Sequence, residues 1–230
     1  MSIELLIASE LVSAGLALII VCFLFRVYKF TRYLYLLGLL IGFSLLAASY
    51  ILLGMFLFYE NNAVISEQFL WARLIVQGFG YAFIAFAYYF SRKSEKATRF
   101  YFVLISLFCA ISIGLFFAAL IVAPPFLELP SVMVADECFR VANLTFLGYV
   151  IYRVVKHFDF SHEVISGLKW TVLAFSMLWL AQYSMLIWGI DGSQTAFVLA
   201  HVARLASLTL FIFIYRSSGK EEVGSESREA

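Results

Sequence analysis

Residues 34–59 read LYLLGLLIGFSLLAASYILLGMFLFY, twenty-six residues with no charge and no proline. A helix needs about 20 mostly apolar residues to cross the hydrocarbon core of a bilayer. This run is apolar all round, a composition that is stable when the surrounding solvent is lipid. Arg32 precedes it and Glu60 follows it.

Six further runs of the same kind lie on either side: 3–25, 68–91, 100–123, 131–155, 165–189 and 194–215. The segments between them are short and polar: RVYKFTR, ENNAVISE, RKSEKATR, APPFLELP, KHFDFSHE and GIDGSQ. The whole chain is 63% hydrophobic and 13% charged. Soluble domains run nearer one half and one quarter, so a water-soluble core would leave much of this Leu, Phe and Ile uncovered. The expected fold is therefore all-α: an integral membrane bundle of seven transmembrane helices, residues 1–216, followed by a disordered, charged tail, 217–230. The first run lacks a basic leader and is too long for a signal-peptide core, so no cleaved signal is expected.

Charge sets the predicted orientation. Thirteen of the 16 Lys and Arg residues fall on one side of the seven runs: Arg26, Lys29, Arg32, Arg92, Lys93, Lys96, Arg99, Arg153, Lys156, Lys169, Arg216, Lys220 and Arg228. The opposite connections carry Glu60, Glu67, Glu128 and Asp191 and no base. The positive-inside rule puts the basic side and the C-terminus in the cytoplasm. Seven crossings then put the N-terminus outside. Tyrosines 28, 33, 88, 89, 101, 152 and 215 gather near the cytoplasmic boundary, and Trp71 and Trp188 near the outer one, as an aromatic belt does.

The other three bases, Arg73, Arg140 and Arg204, lie inside spans three, five and seven. At the helical rise per residue they sit about 9–15 Å below the outer surface. Glu10, Asp136 and Glu137 lie at similar depth. Asp136 and Glu137 stand four and three residues before Arg140, and His201 stands three before Arg204, so each pair shares a helix face. Buried charges are costly in hydrocarbon and must find each other, a wet cavity or a ligand. Two readings follow: interhelical ion pairs that fix packing, with three acids against three bases, or a polar pocket open to the outside. In the second, Glu10, Arg73, Asp136, Glu137, Arg140, His201 and Arg204 line the pocket. Trp179 and Gln182, three apart in span six, form its floor, with Tyr183 beside them.

Catalytic and metal patterns are missing from the sequence. There is no GxSxG, HExxH or glycine-rich phosphate loop. Cys22, Cys109 and Cys138 are scattered in apolar runs without CxxC spacing. His157 and His162 fall in a predicted loop, which leaves His201 alone in the membrane and no pair to hold a haem. Asn143-Leu144-Thr145 spells a glycosylation acceptor, but within a span. The formal net charge of +1 points to no nucleic-acid partner. No enzyme activity, metal or cofactor is expected.

Two stretches carry a resemblance. Around span six, Glu163-Val164, Ser166, Lys169, Leu178-Trp179, Ala181, Gly189, Asp191 and Gly192 follow in an ungapped order. Span three begins Trp71-Ala72-Arg73. Over about thirty-five residues the chain resembles the microbial rhodopsins, which share the predicted seven-helix plan. The resemblance implies that Trp179 takes the place of a tryptophan packing on retinal, and Arg73 that of the arginine on the outward proton path. The departures bear on activity. Span seven has no lysine for a Schiff base, with Ser207 near the expected position. Lys169, at the cytoplasmic end of span six, is no substitute. Val76 and Ala87 stand where the two proton-carrying carboxylates would be. The resemblance thus implies a rhodopsin-like relative without covalent retinal and without pumping.

A fainter echo runs within the chain: Phe43-Ser44, Tyr50, Gly54 and Ala72-Arg73-Leu74 recur in order as Phe175-Ser176, Tyr183, Gly189 and Ala203-Arg204-Leu205. A 3+1+3 duplication would account for it, a plan that small transporters also use. The leading expectation is a non-enzymatic sensor or binding protein, multi-pass in the cell membrane. Its partners would be the lipid bilayer, a small charged ligand from outside, or another membrane protein. A small-solute or ion transporter and a structural subunit of a membrane complex are the alternatives.

Overall fold

The computed structural model describes residues 3–58, 63–90, 132–156 and 165–226. They form six helices: α1 Ile3–Thr31, α2 Leu34–Phe58, α3 Ala63–Phe90, α4 Val132–Lys156, α5 Ile165–Asp191 and α6 Gln194–Glu226. Among the described residues there is no strand, and six helices are long and apolar enough to cross a membrane. The predicted run 100–123, with Cys109, lies outside the described residues. So do most of the connections, including His157 and His162. α6 stays helical through Glu226, past the expected boundary at 216, whereas its membrane-length apolar segment ends at Arg216.

Two turns show how the chain reverses. Arg32 ends α1 in the left-handed region, at φ 52°, and its N–H donates to the Tyr28 carbonyl at 2.8 Å. Gly192 does the same after α5: φ is 70° and its N–H donates to Trp188 O at 2.9 Å. Such a residue satisfies a carbonyl that the helix end leaves unpaired, and glycine adopts the geometry without strain. Asp191 Oδ1 then accepts from Ser193 N at 2.8 Å, and Ser193 Oγ accepts from Ala196 N at 3.3 Å, which makes Ser193 the N-cap of α6.

The helices are arranged in a ring. Each touches the next in sequence, and α1 touches α6 to close the circle. The α2–α3 seam is tight because Gly42 and Gly80 face each other. A Cβ on Gly42 would lie 2.9 Å from the Gly80 carbonyl oxygen and 2.6 Å from Ile84 Cγ1. Small residues let helix backbones approach where lipid gives no hydrophobic push. α3 and α4 run parallel, with Gly78 at the middle of α3 beside Phe139 and, further along both helices, Arg153 reaching the Tyr89 carbonyl at 3.4 Å.

Outward faces are apolar: Leu11, Leu18 and Phe25 on α1 and Val198, Val202 and Phe213 on α6 are exposed. The composition and the outward apolar faces are those of a multi-pass membrane protein. Helical hydroxyls fold back on their own backbone, as Ser13 on Ser9 O and Ser44 on Leu40 O, both at 2.8 Å, so they need no partner elsewhere.

The ring interior has two layers. Toward the rim where α2 begins, Phe211 meets Phe175 edge-on at 4.8 Å and Phe43 at 5.2 Å, and Tyr88 meets Phe175 at 5.4 Å. Leu46, Ile84, Leu178 and Leu208 fill the space around these rings. The polar residues collect in the other half, toward the rim where α1 begins.

A candidate arginine-lined cavity at the centre of the ring

Glu10 of α1 is fully buried, and its Oε1 accepts from Arg204 Nη2 of α6 at 2.6 Å. Arg204 Nη2 also stands 2.9 Å from His201 Nδ1. A guanidinium can only donate, so Nδ1 accepts and the imidazole is the neutral form with its proton on Nε2. His201 Nδ1 lies 3.6 Å from Glu10 Oε1 and 3.3 Å from Ser9 Oγ. The Arg204 guanidinium also covers the Tyr50 ring at 4.7 Å, a cation–π contact strengthened by exclusion of water.

A second pair lies across the ring on α4. Arg140 Nη2 and Nε donate to Asp136 Oδ2 at 2.6 and 2.8 Å. Of the two acids that helical spacing offered Arg140, Asp136 takes the contact. Glu137 instead points to α5, its Oε1 3.9 Å from where a Cβ on Gly189 would be. On α5, Gln182 Nε2 donates to Tyr81 Oη of α3 at 2.9 Å.

Between these pairs lies a cavity of about 10 Å³, lined by Arg73, Gln77, Arg140, Ala181, Gln182, Met185, Ala200, His201 and Arg204. That is room for about one water. Among the described residues the wall holds three guanidiniums and no carboxylate. Arg140 and Arg204 each have an acid of their own. Arg73 is buried, with 6% exposure, and forms no ion pair among the described residues. Several buried atoms here have no hydrogen-bond partner among the described residues: Glu10 Oε2, Asp136 Oδ1, Gln182 Oε1, His201 Nε2 and Arg204 Nε.

Of the nine residues singled out in the sequence, Arg73, Arg140, Gln182, His201 and Arg204 meet at the cavity. Glu10 and Asp136 stand behind it as counter-charges. Glu137 and Trp179 are not part of the wall. Trp179 stacks on Tyr183 at 5.3 Å and 11°, and its indole nitrogen lies toward Gly148 of α4. Among the described residues the ion pairs are one between helices, Glu10–Arg204, and one within a helix, Asp136–Arg140, and Arg73 has none. Asn143 is buried within α4, out of reach of glycosylation. Ser207, at the position compared with the retinal lysine, is buried and donates to the Ala174 carbonyl at 2.7 Å.

Sequence reading missed Gln77, Tyr81 and Tyr50. A signal existed for the first two: Arg73, Gln77 and Tyr81 recur every four residues, one polar stripe along an otherwise apolar span. Tyr50 had none, because its role depends on which helix faces it.

Fold and cavity together define the class: a multi-pass α-helical membrane protein with a small, arginine-lined polar centre. No protein-family model matches the chain, nor does any curated protein or solved structure.

Proposed function

We propose that the chain is a non-enzymatic membrane sensor or binding protein that takes a small charged ligand at this centre. The observation that carries the reading is the cavity itself, where charged and polar groups from α3, α4, α5 and α6 converge in one half of a lipid-facing ring. The aromatic layer beneath favours binding over passage, since the polar residues stop where Phe43, Phe175 and Phe211 begin.

Seven spans, an outside N-terminus and a cytoplasmic C-terminus are part of this reading. The parallel run of α3 and α4 supports the seventh span. Between them the chain has to return from one rim to the other, which residues 100–123 are apolar enough to do. The charge asymmetry of the connections supports the orientation, and it makes the cavity outward-facing. Single cysteines placed at Arg32 and at Ser193, after Cys22, Cys109 and Cys138 are replaced, test it in intact cells. An impermeant thiol reagent labels Ser193→Cys and spares Arg32→Cys; the opposite pattern reverses the topology.

Kinship with the microbial rhodopsins remains a proposal resting on Trp71-Ala72-Arg73 and the span-six residues. With Ser207 bound to a backbone carbonyl, such a relative works without covalent retinal. The internal echo favours a second reading, a transporter, because its paired arginines, Arg73 and Arg204, line one cavity. Solute uptake by proteoliposomes distinguishes the two.

The binding reading is tested by thermal stability in mild detergent against charged solutes, lipids and retinoids, since a ligand that binds the folded state raises the apparent melting temperature. A shift lost in a folded Arg140→Gln or Arg204→Gln supports it. No shift from any solute, with both variants failing to fold, reduces the charges to packing.

A further inference from the structure

We infer that the cavity holds a single small monovalent anion of halide size, with Arg73 as its principal counter-charge. This rests on the binding reading above and names its ligand class.

Ion pairing among the described residues leaves one guanidinium over. Arg73, Arg140 and Arg204 face two paired carboxylates, Glu10 and Asp136. Glu137 is turned toward α5. An unmatched guanidinium deep among apolar helices is expensive, and attraction between charges is much stronger there than in water. A water molecule in the cavity would satisfy hydrogen bonds and leave Arg73 without a direct counter-ion. An anion does both.

The polar groups of the wall suit an anion. Arg73, Arg140 and Arg204 are donors only. The His201 proton, driven to Nε2 by Arg204 at Nδ1, has no partner among the described residues. Arg204 Nε is a second donor without one. Gln182 can turn its amide over, accept from the Tyr81 hydroxyl and offer its NH₂ to the cavity. Among the described residues no carboxylate lines the wall to repel the ion.

Size sets the limit. A space of about 10 Å³ takes one water-sized body. Chloride and bromide are monatomic and polarizable, and Met185, Ala181 and Ala200 complete the wall with soft or small groups. Sulfate, phosphate and organic carboxylates bring several heavy atoms and need more room than a monatomic ion.

The full chain is purified in mild detergent in sodium gluconate, and chloride, bromide or sulfate is exchanged in at constant ionic strength. Chloride and bromide are expected to raise the apparent melting temperature saturably, by about 3–6 °C once the halide exceeds its dissociation constant tenfold. Sulfate has no saturable effect. Arg73→Gln abolishes the halide dependence. Ala200→Leu does the same by filling the space with every charge kept, and it serves if Arg73→Gln does not fold. A wild-type protein with no saturable halide response overturns the inference. So does a response that survives both substitutions, because the ion then sits elsewhere. If halides fail while another solute gives a shift that Arg140→Gln removes, the binding reading stands without its anion. If no solute gives a shift, both fall.

Discussion

Glu10 Oε1 and Arg204 Nη2 lie 2.6 Å apart across 194 residues of sequence. They join the first described helix to the last and close the ring beside the cavity. Removing one partner of a buried ion pair leaves an uncompensated charge and costs about 3–5 kcal/mol. Glu10→Gln or Arg204→Gln alone should each lower stability on that scale, as read by denaturant or thermal unfolding in detergent. The double substitution should recover much of the loss. A strictly additive double variant would show that the two residues do not act as a pair.

Asp136 should behave differently. Its side chain is 23% exposed while that of Arg140 is 4% exposed, and the pair lies within one helix. Asp136→Asn is expected to cost less than Glu10→Gln, because the carboxylate is partly screened. It also adds one net positive charge beside the cavity. Bromide should then bind about tenfold more tightly, the order expected for one charge at short range in a partly screened site. Weaker bromide binding in this variant would contradict the proposed electrostatics.

The two glycines Gly42 and Gly54 share a helix and should respond in opposite senses. A methyl at Gly42 would lie 2.6 Å from Ile84 Cγ1 and 2.9 Å from the Gly80 carbonyl, whereas Gly54 has nothing within 4 Å. Gly42→Ala should destabilise by about 1–3 kcal/mol through overpacking. Gly54→Ala should be neutral or stabilise by up to about 1 kcal/mol, since alanine is the better helix former. Equal effects at the two sites would mean that α2 and α3 do not pack through Gly42.

Tyr81 and Gln182 are coupled by a 2.9 Å bond between α3 and α5. Tyr81→Phe should cost about 1–3 kcal/mol by leaving a buried amide unsatisfied. Tyr81→Phe combined with Gln182→Leu should cost less than the sum of the single changes, with a coupling of about 0.5–3 kcal/mol. A double-mutant cycle measures it directly, and zero coupling would remove Gln182 from the network.

The sequence made the helices legible and left their facing hidden. Predicted runs such as 34–59 and 165–189 match α2 and α5 to within a residue or two at each end. Helix α1, expected to end at 25, continues to Thr31. Hydropathy marks where lipid ends, while backbone hydrogen bonding continues until a residue such as Arg32 turns left-handed. The buried charges were equally visible, because charge within an apolar run stands out. Their partners were not. Helical spacing allowed both Asp136 and Glu137 to serve Arg140, and only the position of α5 takes Glu137 away. Glu10 and Arg204 carry no local sign of each other, and their meeting depends on the whole circuit of helices. Gln77 and Tyr81 could have been read from their four-residue steps, while Tyr50 required the packed ring.

The closure of the ring by the first and last described helices sets an order on its biogenesis. At a synthesis rate of about 5–20 residues per second, Glu10 emerges about 10–40 s before Arg204 exists. Through that interval Glu10 lacks the arginine with which it pairs in the closed ring. It has to be sheltered by the insertion machinery, by water at the membrane surface, or by a delay in its own entry. α1 can pack on α2 as soon as both are made, but the ion pair that closes the ring waits for the last described helix.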